Sequence, residues 1–143
     1  MKNIKKIVYT AGVVIDSTYD KVYNYNAWPS KYVDHMTIQY GGIDTKPQYI
    51  GKVFTFIATH VVSDENGVAW IGKIDDKTIE KKMKGIGQHA HITLFTADGV
   101  APVYSNELIG KAEHRPLDRP VAVKMMAGMY VVYDDGSKGW VFG

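Results

Sequence analysis

Seven segments of this chain have strand composition, and the residues between them leave room for three short helices at most, so the fold must be built around a β-sheet. Lys6–Ile15, "KIVYTAGVVI", is a nearly continuous apolar run of the kind that forms a buried strand. A second strand is expected over about Val33–Tyr40, stopping at Gly41-Gly42. "KVFTFIATHVV" and "GVAWIGKI" flank the turn residues "SDENG" and predict a hairpin. "HAHITLF" is the next strand, and "VAVKMMAGMYVVYDDGSKGWVFG" ends the chain as two strands joined at Asp134–Gly139. A helix is expected over about 18–27, where Ser17 or Thr18 offers an N-cap, Tyr19, Val22 and Tyr23 recur at helical spacing, and Trp28-Pro29-Ser30 ends it. "DGVAPVYSNELIGK" can hold another. "KTIEKKMKGI" fits either a charged helix or an exposed strand, and "HRPLDRP" reads as a loop punctuated by prolines. The expected class is α+β, in a single domain over residues 1–143.

Composition narrows the function. The net charge is +2, and the basic residues are dispersed apart from "KNIKK" and "EKKMK", which is not the footprint of a protein bound to duplex DNA. With no cysteine, disulfides, thiolate metal sites and cysteine nucleophiles are excluded, and a cytoplasmic location is expected. "MKNIKK" followed by "IVYTAGVVI" has the charge-then-apolar order of a secretory signal. The run is interrupted by Tyr9 and Thr10, is β-branched and ends at Asp16, so it reads as the first strand instead. No segment approaches the roughly 18 apolar residues of a membrane span.

One short pattern occurs twice: His35-Met36-Thr37-Ile38 and His91-Ile92-Thr93-Leu94. In a strand, residues two apart share a face. Each segment therefore presents an imidazole beside a hydroxyl, with Met36, Ile38, Ile92 and Leu94 turned to a core. Two histidines across a cleft can serve as general base and general acid, because imidazole titrates near neutral pH. Threonine hydroxyls can donate to the non-bridging oxygens of a phosphate as charge builds on them. The combination suits phosphodiester cleavage by His35, Thr37, His91 and Thr93. It needs no metal or other cofactor, and neither motif has the spacing of a metal site; the only carboxylate beside them, Asp34, points away from His35 in a regular strand.

The pairing of "HMTIQYGG" with "HITLF" resembles the 2H phosphoesterase superfamily, named for two His-x-Thr/Ser-x motifs. "QHAHITLFTADGVAPVYSNELI" is similar to the matching stretch of the 2′,3′-cyclic-nucleotide phosphodiesterase and tRNA-ligase phosphodiesterase branch, where an Ala-His-Ile-Thr-Leu strand runs into a polar loop and helix. The order strand, helix, "DHMTIQYG" resembles that family's first lobe. The resemblance implies a two-lobed α+β fold with pseudo-twofold symmetry, antiparallel sheets around a central cleft, and metal-independent phosphodiester hydrolysis. His35 and His91 would exchange acid and base roles while Thr37 and Thr93 bind phosphate. The chain is shorter than most members, as are compact viral 2H enzymes, the anti-CBASS phosphodiesterases among them, that cut cyclic or 2′,5′-linked oligonucleotide signals of host immunity.

The expected partner is a small nucleotide or oligonucleotide, not duplex DNA and not a membrane, and the expected state is a monomer. A base needs an aromatic surface, for which Tyr9 and Trp70 are preferred, with Trp28, Tyr40 and Trp140 as alternatives. His89 shares strand parity with His91 and is expected at a solvated strand end. His60 and His114 are expected to be structural or exposed. Lys81, Lys82 and Lys84 can attract a polyanion or form a solvated face, and Arg115 or Arg119 can clamp a terminal phosphate. The rivals are a non-catalytic nucleotide sponge using the same cleft and a helix-grip lipid-cavity protein, whose closing C-terminal helix the end of this chain does not resemble.

Overall fold

The computed structural model describes residues 2–15, 30–31 and 35–143. The expected helix over 18–27, Trp28, Asp34 and the start of the second strand lie outside the described residues. The strands are β1 (Ile4–Val14), β2 (Ser30–Lys31), β3 (His35–Tyr40), β4 (Val53–Asp64), β5 (Gly67–Ile74), β6 (His91–Thr96), β7 (Arg115–Tyr133) and β8 (Lys138–Val141). Two helices, α1 (Lys77–Gly85) and α2 (Tyr104–Lys111), complete the described elements.

All eight strands belong to one antiparallel sheet in the order β2-β6-β5-β4-β7-β1-β3, with β8 added on β7. The architecture is thus α+β, with the helices as additions to a dominant sheet. The sheet curls far enough that β3 approaches β6, nearly closing a barrel. These are the two strands that carry the repeated motif.

Alternation explains the layering. Met36, Ile38, Ile92 and Leu94 are fully buried in one core, joined by Phe54, Phe56, Trp70 and Met125 from the middle of the sheet. The intervening His35, Thr37 and Thr93 are only partly buried. The hairpin turn between β4 and β5 is held by Asp64, whose Oδ1 accepts from the Asn66 and Gly67 amides at 2.8 and 3.2 Å.

The ambiguous segment "KTIEKKMKGI" is a helix. Asp76 caps it by accepting from the Ile79 amide at 2.9 Å, and Ile79 and Met83, four residues apart, are buried on one face. "HRPLDRP" is not a loop: all but its first residue belong to β7. Arg115, Pro116 and Val121 pair with β4, residues 117–120 bulge out at the register shift between Ala58 and His60, and the pairing of β7 with β1 begins only at Met125. Pro116 therefore lies where β7 has one neighbour, and Pro120 lies in the bulge, so neither missing amide costs a ladder bond on the open side.

At Gly72, β5 and β4 come unusually close beside a register shift between Ala58 and His60. A Cβ at Gly72 would fall inside van der Waals contact with the Ile57 carbonyl oxygen, a backbone atom that cannot swing away. Gly72→Ala is expected to destabilise the fold by about 3 kcal/mol, a drop of about 10 °C in Tm readable by circular dichroism.

Candidate active site

A cleft of about 580 Å³ opens where β3 and β6 face each other. His35 and Thr37 reach it from β3, His91 and Thr93 from β6, and Tyr9 from β1. Gln88, Pro102, Val103 and Asn106 line it from the segments around β6 and the start of α2, and Tyr40 stands at the end of β3. The four motif residues and Tyr9 are thus brought together. The packing that does this is the shared core beneath, because burying Met36 and Ile38 on one strand and Ile92 and Leu94 on the other leaves both His-x-Thr faces turned to the gap.

His91 is 7 % exposed, and its Nδ1 lies 3.0 Å from the His89 carbonyl oxygen. A carbonyl only accepts, so Nδ1 carries the proton and the neutral ring keeps Nε2 as its acceptor. Burial, above all, pushes the His91 pKa below the ordinary imidazole value. The Nδ1 hydrogen bond opposes that shift, whereas the neighbouring His89 and His35 rings add to it. Near neutral pH, His91 is an uncharged imidazole with an available lone pair, the state a general base requires.

The same shift makes stability depend on pH. In the unfolded chain His91 titrates near the ordinary value of about 6.5, so below that pH the unfolded state binds the extra proton first. Stability is expected to fall as pH drops from about 6.5 through the lowered folded value. His91→Gln should remove that part of the slope in urea unfolding measured across the range.

Thr93 is held from behind. Its Oγ1 is 2.7 Å from the Ser105 hydroxyl and donates over a long 3.3 Å to the Pro102 carbonyl. A phosphate oxygen is a stronger acceptor than that distant carbonyl. The Thr93 proton can turn to it while Ser105 donates into Thr93 and polarises the hydroxyl further. Ser105 is 2 % exposed and was not singled out from the sequence. Its signal is helical spacing, since it shares the buried face of α2 with Leu108 and Ile109.

The aromatic residues divide sharply. Trp70 is 1 % exposed within the main core, so the expectation that it stacks a base is corrected: it pairs with Ile92 and shares the core face of the sheet. Tyr9 instead joins a row across four strands, in register with Tyr40 of β3 and Tyr130 of β7, which in turn faces Trp140 of β8. Tyr9 stacks with Tyr40 and Tyr130 at 5.9 and 5.4 Å between ring centroids, and Trp140 meets it edge-on at 5.5 Å. The His35 ring lies 5.9 Å from Tyr9 and 6.5 Å from Trp140. Tyr40, 74 % exposed, leaves most of its surface open at the cleft.

The remaining candidates lie elsewhere. His60 contacts the Thr59 hydroxyl at 2.9 Å, and His114 donates to the Ile109 carbonyl at 2.9 Å. Arg115 donates to Ser63, Arg119 is exposed, and neither lines the cleft. His89 is exposed beside it. Among the described residues, no three His, Cys, Asp or Glu side chains gather in a group that could hold a metal ion, and no helix is long and apolar enough to cross a membrane. Compared with family models, curated proteins and solved structures, the chain matches none.

Proposed function

We propose that this protein is a metal-independent phosphodiesterase of the 2H type, acting on 2′,3′-cyclic phosphate ends or on cyclic or 2′,5′-linked oligonucleotides such as immune signals. The observation that carries the reading is the meeting of two His-x-Thr pairs, from β3 at one end of the sheet and β6 next to the other end, on one cleft with a neutral, buried His91. β3 and β6 would then be the facing strands of the two lobes.

With a 2′,3′-cyclic phosphate, His91 Nε2 takes a proton from water as the water oxygen bonds to phosphorus. His35 gives a proton to the ribose oxygen as its bond to phosphorus breaks. With a 3′,5′ linkage, the ribose 2′-hydroxyl takes the place of water and the departing 5′-oxygen receives the proton. Thr37 and Thr93 hold the non-bridging oxygens, where charge develops in the transition state. The exposed ring of Tyr40, backed by Tyr9, offers a face to a base.

The test is product identification by mass spectrometry after incubation, in excess EDTA, with 2′,3′-cyclic mononucleotides, 2′,5′-oligoadenylate and 3′,5′-linked cyclic di- and trinucleotides. Cleavage of at least one by the native protein is expected. Tight binding with no cleavage of any member overturns the enzyme reading and makes the protein a nucleotide sponge.

A further inference from the structure

Gln88 belongs to two grooves. One is the histidine cleft, and the other is a depression of about 280 Å³ between β5, α1 and residues 88–90. We infer that the second groove is a subsite for a second phosphate, so that the preferred substrate carries two phosphates separated by a nucleoside. The inference rests on the phosphodiesterase reading of the first groove.

Its lining is basic. Lys73 comes from β5, Lys84 from the last turn of α1, and His89 from the segment leading into β6. Among the described residues Lys73 is in no ion pair. Glu80 is the one carboxylate among the lining residues, 3.2 Å from Lys84 in an exposed pair one helical turn long. Such a pair is weak, and a phosphate can take Lys84 from it. The nearby acids are engaged away from the groove: Asp75 accepts from the Thr55 amide, and Asp76 caps α1 and pairs with Lys52 at 3.1 Å. Lys81 and Lys82, exposed on the same helix, add to the positive field.

The two grooves are also joined through one short segment. His89 lines the second groove, and its carbonyl oxygen fixes the His91 tautomer. A substrate with one phosphate fills the histidine cleft and leaves the lysines unused. One with two phosphates spans Gln88 and meets both.

The experiment compares the native protein with the double variant Lys73→Ala/Lys84→Ala, both exposed positions, after confirming an unchanged Tm. The substrates are adenosine 2′,3′-cyclic phosphate, the same nucleotide bearing a 5′-phosphate, and the dinucleotide ApA ending in a 2′,3′-cyclic phosphate. The variant should lose about tenfold in kcat/KM on the two-phosphate substrates and nothing on the first, as loss of charge-assisted phosphate contacts implies. Its affinity for the two-phosphate substrates should also depend less on salt than the native protein's. Loss confined to the 5′-phosphorylated mononucleotide places a terminal phosphate in the groove, and loss on the dinucleotide places a linkage there. An equal loss on all three, or none, overturns the subsite. If the native protein cleaves nothing, calorimetric titration with both two-phosphate compounds still decides: a variant tenfold weaker for either upholds the groove while the catalytic reading fails, and equal affinity for both overturns the groove as well.

Discussion

His35→Ala and His91→Ala are each expected to lower turnover by a factor of about 10²–10⁴, the range for losing one general acid or base. The double variant should lose little more than either single one, because a proton-transfer pair acts as a unit. The two variants differ in their structural cost. His35 is partly exposed at the cleft, so its removal should leave Tm nearly unchanged. His91 is buried, and His91→Ala also empties part of the wall, so His91→Gln is the cleaner companion. Single-turnover rates measured beside circular dichroism separate lost chemistry from lost fold. A variant that folds and retains native turnover would remove that histidine from the mechanism.

Trp70→Ala should be the most damaging substitution of an aromatic residue, and its damage should fall on stability. Trp70 pairs with Ile92 on β6 and with Val61 on β4, filling the core under the strand that carries His91 and Thr93. Emptying a site of that size costs about 3–5 kcal/mol, a large part of the roughly 5–15 kcal/mol that holds a domain folded. Tyr9→Ala should behave in the opposite way. Losing the ring that backs Tyr40 at the cleft raises KM by up to about 150-fold, the equivalent of at most about 3 kcal/mol per stacked base, while the core stays intact. Urea unfolding and Michaelis kinetics on both variants check the division. A Trp70→Phe protein that stays folded but shows a raised KM would return Trp70 to the binding surface.

The contrast between these two aromatic residues shows what local sequence can carry. The parity of His35, Thr37, His91 and Thr93 followed from strand period alone, because one buried face forces the other outward. So did the hairpin at Asp64–Gly67, written in turn chemistry. Whether Trp70 faced a ligand or a core depended on which strands flank β5, and local pattern does not contain that. Tyr130 was missed for the same reason, since only the pairing of β7 with both β1 and β8 sets it beside Tyr9 and Trp140. Ser105 matters through a contact with Thr93 across a loop. The prolines of 114–120 misled because a Pro weakens a strand only where its amide is needed, and there one lies in a single-sided pairing and the other in a bulge.

If the two cleft histidines form an acid–base pair, the pH dependence of kcat/KM in EDTA shows it most directly. A bell is expected for the native protein on whichever substrate is cleaved. Its acid limb lies below the ordinary histidine value of about 6.5, because His91 must be neutral and its pKa is lowered. His35→Ala should abolish the alkaline limb and keep the acid one, and His91→Ala the reverse. A flat profile through the histidine range, or a bell that survives in either variant, would contradict the account.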